Sequence, residues 1–478
     1  MPPVRTPNRH SAAAMRSTVR RVVRDKSYFW VVTFIIWAVF YQNLPNISDL
    51  AAAASAVVPD ATTPQVGVVT QADPFDRFIK IGMLGISVYL IIIRWAVARG
   101  LAARLNPGLL ALYGLAGLSA LWSIDSSATS LRFVSLSANI LACFAFGLAS
   151  WHERRFQQVI IPPLMLILVG SLLIGMVEPA MMTEQGEGIS LKGSWHGLML
   201  TKNLFGMTAS AGVILCTNLW LTKGKHSLWP LAGILISALC LAFSRSNTSM
   251  FATGVGVAFM FAVMKVPFVR QRFATPLTIA VTALILLYEL VIQDVVPGVN
   301  LLLSPITALT GKDTTFSART FIWKVIKEHI QMSPYLGTGY GAYWVGPVPT
   351  SPSYIFVQVM WWYPSESHNG YLEVVNDMGL LGLGCVLVFI GFYLRQALQL
   401  MQIDRPQAAL FLALLFQEMI LNMSESDWIS RSNTFLILTL ATVSMARALR
   451  DRRAQPAQMQ QRPVPAPYPM PLRGNTRY

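Results

Sequence analysis

The stretch VIIPPLMLILVGSLLIGMV, Val159–Val177, contains no charged side chain. An apolar run of about 20 residues crosses the roughly 30 Å hydrocarbon core of a bilayer as a helix, so this segment reads as a membrane span. Eleven further stretches have the same character: Tyr28–Leu44, Phe78–Val97, Pro107–Trp122, Leu131–Ser150, Leu204–Leu221, Ser227–Phe243, Thr248–Val266, Pro276–Ile292, Leu380–Leu400, Gln407–Leu421 and Asn433–Leu449. The composition agrees, since 54% of the 478 residues are apolar and 12% charged, against about 25% charged in soluble domains. That balance excludes a soluble enzyme. The 13 Trp, 24 Phe and 14 Tyr exclude disorder, and four Cys exclude a disulfide scaffold. All four, Cys143, Cys216, Cys240 and Cys385, fall inside expected spans and read as small apolar packing residues. The expected fold is all-α, a polytopic integral membrane protein of about 12 transmembrane helices.

The formal charge of +15 raises nucleic acid as a partner, yet the 37 Lys and Arg sort by membrane side. Short cytoplasmic loops collect basic residues. With the N-terminus inside, 26 of the 37 lie in cytoplasmic segments, including seven before Tyr28 and seven from Arg447 onward. Both termini are then cytoplasmic, and the excess charge orients the chain and faces lipid. No zinc, RNP or helix-turn-helix pattern accompanies the charge, so no nucleic-acid partner is expected. Residues 1–27 form a basic cytoplasmic segment, 28–450 the membrane domain and 451–478 a Pro- and Arg-rich tail that reads as disordered. The basic leader and the first apolar run read as an anchor, with a signal peptide as the alternative.

Two loops exceed the usual length of a connection, and under this topology both face outward: Glu178–Asn203 and Gln293–Gly379. The second, 293–379, is a large periplasmic loop. It carries Lys312, Arg319, Lys324, Lys327, His329, Glu366, His368 and Glu373, interleaved with Phe316, Phe321, Trp323, Tyr335, Tyr340, Tyr343, Trp344, Trp361, Trp362, Tyr363 and Tyr371. Such a mixture reads as a small folded cap with amphipathic helices. Its aromatics are either an interfacial belt or platforms for sugar faces.

Three strings in this outer region carry candidate chemistry. Ser244-Arg245-Ser246-Asn247-Thr248 places an arginine in a polar turn between two spans, either as an anchor or as an anion fork. Ser317-Ala318-Arg319-Thr320-Phe321-Ile322-Trp323 precedes the glycine-rich Pro334-Tyr335-Leu336-Gly337-Thr338-Gly339-Tyr340-Gly341. Ser367-His368-Asn369-Gly370-Tyr371-Leu372-Glu373 leads into Asp377-Met378-Gly379. A lone histidine is more often structural than catalytic. All three strings nevertheless share one membrane side, where two arginines suit a diphosphate and an imidazole with pKa near 6.5 suits a sugar hydroxyl. Together they describe glycosyl transfer from a lipid diphosphate.

In this ordered set the chain resembles the O-antigen ligase and Wzy-type polymerase superfamily, and within it the exopolysaccharide polymerases of the ExoQ type. The likeness spans roughly Leu109 to Met445. Arg245, Arg319 and His368 match the order and spacing of the two arginines and the histidine on which the ligases depend. The resemblance therefore implies catalytic roles for these three and a GT-C-like membrane fold. Lys202-Asn203 and the stretch from Trp122 to Arg132 resemble two further family features. Thr201 stands where ligases often carry a histidine, and His196 lies six residues ahead of Lys202 instead.

The mechanism so implied has an oligosaccharide repeat on undecaprenyl diphosphate as donor and a hydroxyl of a second lipid-linked repeat as acceptor. Arg245 and Arg319 would stabilise the departing diphosphate, aided by Lys202 and Arg132. His368 would act as general base or orient the acceptor oxygen, with Glu373 or Asp377 as its partner. Asn203, Tyr340 and Trp323 complete the expected substrate-binding set. Asp125, Glu418, Glu425 and Asp427 are expected to support these groups or to pair structurally. No cofactor or metal is expected, in keeping with the metal independence of the family; membrane lipids and a chain-length regulator are the expected partners. Attack opposite the leaving group would invert the anomeric centre, at the periplasmic face of a bacterial inner membrane. Two rival readings remain at this point: a ligase transferring finished chains to the lipid A core, and a lipid-sugar flippase or other transporter.

Overall fold

Pro162 and Pro163 lie inside a helix, Arg155–Val177, and a proline there removes a hydrogen bond to the carbonyl four residues earlier. The carbonyl freed by Pro163 is that of Val159, and it accepts the Trp37 indole N–H at 2.7 Å. The first helix is thus bonded to the rest of the bundle. The computed structural model describes residues 9–42, 44, 74–149, 155–184, 193–223, 227–293, 295, 317–360 and 363–460. Ala51–Ala56, Arg154, Lys225, Lys312, Phe316, Trp361, Trp362 and residues 461–478 of the expected tail lie outside them.

The described chain is helical, with one isolated antiparallel bridge, Thr183 to Trp195. The principal helices are α1 Arg9–Gln42, α2 Pro74–Ile92, α3 Trp95–Ala102, α4 Pro107–Leu118, α5 Ser126–Gly147, α6 Arg155–Val177, α7 Lys202–Lys223, α8 Leu228–Ser244, α9 Asn247–Lys265 and α10 Ala274–Ile292. After them come α11 Ser317–Ile330, α12 Ile355–Met360, α13 Gly370–Met401, α14 Arg405–Leu421 and α15 Asn433–Gln460. Among the described residues, each of the twelve apolar stretches read from the sequence is mostly helix.

Length and apolarity separate them further. Six helices could each cross a bilayer, namely α5, α6, α7, α9, α13 and the run Val269–Ile292 that contains α10. Phe78–Ile92 and Trp95–Ala102 make a seventh if taken as one span, but they meet at a bend of 95°. Pro107–Leu121 and Leu228–Ser244 are shorter apolar helices. The expected count of about 12 therefore exceeds what span length alone supports among the described residues. One reason is the place of α14, which has only 17 residues and is buried from Gln407 to Leu421. A helix that is apolar all round belongs to the interior of a large bundle, and α14 packs against α7, α9, α10, α13 and α15.

The helix α13 is interrupted at Gly379, with φ +65° and ψ −169°. Only glycine takes that conformation readily, and a Cβ there would sit 2.1 Å from the Tyr335 carbonyl carbon. The break frees helix backbone groups that the glycine-rich loop then satisfies. Thr338 N–H donates to the Asn376 carbonyl at 3.1 Å and Gly339 N–H to that of Asp377 at 2.9 Å. In return Leu380 N–H donates to the Pro334 carbonyl at 2.8 Å. The helical residues 370–378 thereby stand above the apolar part of α13, so this part of the long loop's C-terminal end, up to Gly379, is helix.

The cap expected in 293–379 is present in part as α11, α12 and the turns between them. It has its own small core of Ile322, Trp323, Ile326, Tyr343, Trp344, Phe356, Tyr363 and Leu372. Trp344 stacks on Phe356 with ring centroids 5.3 Å apart. Much of the aromatic series is therefore interior packing. Tyr335 remains 72% exposed.

Candidate active site

Five chain segments bring polar side chains to one end of the bundle: the turns at the start of α7, the end of α8 and the end of α14, the first turn of α11, and the loop before α13 with its first turns. The central group is Glu425, in the turn after α14, whose side chain is only 8% exposed. Its Oε1 accepts the Arg319 guanidinium at 3.1 Å and the Asn203 amide at 2.6 Å. Its Oε2 lies 3.7 Å from His368 Nδ1, and Glu366 Oε1 lies 3.0 Å from the same nitrogen. The approach to Nδ1 is that of an ion pair, off the axis of a directed hydrogen bond. Lys202, the first residue of α7, interacts electrostatically with Glu184, Arg319, Glu425 and Arg245. Arg245, Arg319, His368, Lys202 and Asn203 are therefore neighbours, linked through Glu425 and Lys202, although up to 166 positions separate them in sequence.

Backbone conformation marks two of the same residues. Among the described non-glycine residues, positive φ occurs at Arg245 (49°), His368 (53°) and Ile429 (54°). Such a conformation is uncommon outside glycine and clusters at functional sites, where the surroundings hold it in place. Arg245 ends α8 in this left-handed state. Its guanidinium lies close to Gly193, where a Cβ would come within 3.6 Å of Nη1 and Nη2. His368 is fixed from both sides in sequence. The Ser367 hydroxyl donates to the Asn369 carbonyl at 2.8 Å, and Asn369 caps α13 by accepting the Leu372 N–H at 2.9 Å.

Electrostatics follow from this packing. Burial opposes the charged form of His368, but the Glu366 and Glu425 carboxylates outweigh it and push its pKa up to about 10. The ring is an imidazolium at neutral pH. Burial likewise works against the Glu425 anion, yet His368 and Arg319 hold its pKa below the ordinary carboxylate range. Glu366 is raised, because burial and the neighbouring Glu425 outweigh His368. Glu366, His368 and Glu425 are also the described group whose ligand atoms lie close enough to share a cation. Arg319, Asn203 and His368 already satisfy the charge of Glu425, so the donor set suits an anion beside it better than a metal.

The remaining expected site residues are placed differently. Trp323 is 4% exposed and donates its indole N–H to the Ser367 carbonyl at 3.0 Å. It supports the His368 turn and offers no face to a sugar. The Tyr340 hydroxyl donates to the Ile429 carbonyl at 2.7 Å. Burial pushes its pKa up to about 12. Arg132 donates to the Trp344 carbonyl, and its side chain passes beside Gly341. Glu373 accepts the Ser367 N–H at 2.9 Å, while Asp377 accepts the Gly341 N–H at 2.6 Å. Both carboxylates are bonded to backbone N–H groups, and the carboxylates that meet the His368 ring are those of Glu366 and Glu425 instead. Asp125 caps α5 by accepting the Ala128 N–H at 2.9 Å. His196 turns on its own loop, with Nδ1 2.8 Å from the Gly197 carbonyl.

The chain is similar in sequence to known proteins. Residues 232–387 match the O-antigen ligase family. The chain is also 27% identical over 316 residues to the exopolysaccharide production protein ExoQ of Rhizobium meliloti (strain 1021), covering 62% of this chain and 67% of that one. The likeness to O-antigen ligases and Wzy-type, ExoQ-like proteins thus rests on two comparisons. The ligase-like segment contains Arg245, Arg319, Glu366 and His368. Lys202, Asn203 and Glu425 lie outside it and reach it only through the fold. Sequence reasoning ranked Glu425 among supporting acids and gave Glu366 no role. The position of Glu366 two residues before His368 was the available signal.

Proposed function

We propose that the chain is a membrane glycosyltransferase that polymerises oligosaccharide repeats carried on undecaprenyl diphosphate, at the periplasmic face of a bacterial inner membrane. The observation that carries this reading is the meeting of Arg245, Arg319, Lys202 and a cationic His368 at one end of the bundle. Four positive groups there suit the two negative phosphates of a lipid diphosphate, and paired hydrogen bonds from guanidinium forks suit phosphate oxygens. The acceptor hydroxyl attacks the anomeric carbon from the face opposite the diphosphate. The bond to the diphosphate oxygen breaks, its electron pair leaves with that oxygen, and the anomeric centre inverts. Fixed cations around the leaving oxygen stabilise this charge in the transition state, and loss of one such donor typically costs about 10²- to 10³-fold in rate. The diphosphate is already a good leaving group, so neither a covalent intermediate nor nucleotide hydrolysis is required. With its raised pKa, His368 fits the role of orienting groups and adding positive charge better than that of a free base. A chain-length regulator would act as partner from outside the catalytic site.

The test replaces Arg245, Arg319 and His368 singly by alanine, with membrane protein level and polymer length measured together. Each variant should reach the membrane and lose long polymer. Wild-type polymer from all three overturns the assignment.

The family match favours a second reading, because its description is that of a ligase. Ligation would use the same donor and the same cations with a lipid A core as acceptor. Product analysis separates the two: loss of long free or lipid-bound polymer marks a polymerase, and loss of the lipid A conjugate alone marks a ligase.

A further inference from the structure

Three carboxylates stand within reach of the His368 turn, and their surroundings divide the work among them. Glu425 is committed to Arg319 and Asn203 and is 8% exposed. Glu373 is committed to the backbone of the same turn, accepting the Ser367 N–H. Glu366 pairs with His368 at 3.0 Å and keeps 30% of its side chain exposed. We propose that Glu366 takes the proton from the attacking hydroxyl, with His368 held beside it as a fixed cation. This rests on the glycosyl-transfer reading above and assigns its general base.

The geometry carries the choice. A base must be reachable by the incoming hydroxyl, and of the three acids Glu366 is the one that is both partly exposed and in contact with the histidine, whereas Glu425 is nearly buried and Glu373 is held by the Ser367 backbone. The charges support it. His368, with its pKa raised to about 10, already holds a proton at neutral pH and accepts no second one. Burial and Glu425 lift the proton affinity of Glu366, whereas His368 lowers it less. General bases work best with a pKa drawn toward the working pH. The charged groups facing Glu366 are His368 on its own loop, Glu425 from the turn after α14 and Glu373 from α13. Arg319 from α11 and Lys202 from α7 stand behind Glu425.

In the step itself, the acceptor oxygen forms its bond to the anomeric carbon as its O–H bond breaks. The proton passes to a Glu366 carboxylate oxygen. The electron pair of the broken glycosyl bond leaves on the diphosphate, and Glu366 later releases the proton to water. No oxidant or co-reactant is needed.

The experiment uses membranes of a strain deleted for this chain's gene, whose accumulated undecaprenyl-diphosphate-linked single repeat is the substrate, with full-length variants supplied in trans. Glu366→Gln keeps the shape of the side chain and cannot take a proton, so polymer formation should fall about 10²- to 10⁴-fold at unchanged membrane level. Glu366→Ala should fall as far and recover in part with added formate, which a purely structural defect would not do. Glu366→Asp should retain activity with a displaced acid limb in its pH profile. A Glu366→Gln protein as fast as wild type, or a slow Glu366→Ala protein that no small carboxylate restores, overturns the base assignment. If Arg245→Ala and Arg319→Ala are inactive in the same assay, the diphosphate reading survives that outcome. Wild-type membranes that build no polymer from the single repeat overturn both.

Discussion

His368 combines a left-handed backbone with a ring between two carboxylates, and its titration makes a direct prediction. Its folded pKa of about 10 lies above the ordinary value near 6.5. The paired ring therefore contributes stability in full below about pH 6.5 and loses that contribution as pH rises through about 10. Thermal unfolding of the detergent-solubilised protein should show wild type more stable than His368→Gln at pH 6, with the gap closing by pH 10.5. A gap that widens with pH would contradict the ion-pair geometry. Glu425 has the opposite sign. Because its pKa is depressed, its contribution is present above the ordinary carboxylate range and fades as pH falls below it. Replacing Glu425 by alanine strips Arg319, Asn203 and His368 of a shared acceptor. Each buried donor left unmatched costs about 1–3 kcal/mol, so Glu425→Ala should lower the melting temperature well beyond a surface change such as Met332→Ala, and polymer formation should fall with it. These residue-level roles were only partly legible. The arginines and the histidine stand in recognisable strings, but an acid 57 positions after His368 carries no local sign of which cation it will meet.

Elements supply the rigidity that these side chains need. The break in α13 at Gly379 and the glycine-rich turn at Gly337–Gly341 form one unit, because the backbone groups freed by the first are bonded by the second. Gly379→Ala would place a methyl 2.1 Å from the Tyr335 carbonyl carbon at φ +65°. The conformational cost alone is about 1–3 kcal/mol, and the clash adds to it, so a sharp fall in the amount of folded protein recovered from membranes is expected. A milder change tests the support of the His368 turn. Trp323→Phe keeps an aromatic ring in the cap core but deletes the 3.0 Å donor to the Ser367 carbonyl, a loss of about 1 kcal/mol. Polymer formation should drop while protein level holds; unchanged activity would show that the turn is fixed without Trp323. The sequence signals at this scale were the glycines themselves. That they splice a loop into a broken helix depends on contacts across about 40 positions, which periodicity does not encode.

At the scale of the whole molecule, the charge bias predicts that residues 193–203, 317–369 and 422–432 share one side of the membrane and both ends of the chain the other. Of the native cysteines, Cys143, Cys216 and Cys240 are buried and Cys385 is half-buried, so a Cys385→Ser background is the quiet one for labelling. Met332 is 79% exposed, and Arg104 is exposed in the turn after α3. Met332→Cys should react with an impermeant maleimide in intact spheroplasts, and Arg104→Cys only after permeabilisation. The reverse pattern would move the site to the cytoplasmic face. What the sequence alone determined is the helical, membrane-like character of the chain, its charge bias and the three strings holding Arg245, Arg319 and His368, because apolar runs and short motifs are local properties. Tertiary structure alone decided which stretches are interior, as with α14 inside the bundle, and which aromatics pack among themselves. It also decided that Glu366 and Glu425 flank the imidazole, since burial and pairing arise between segments distant along the chain, where the energy of a charge depends on what the fold places beside it.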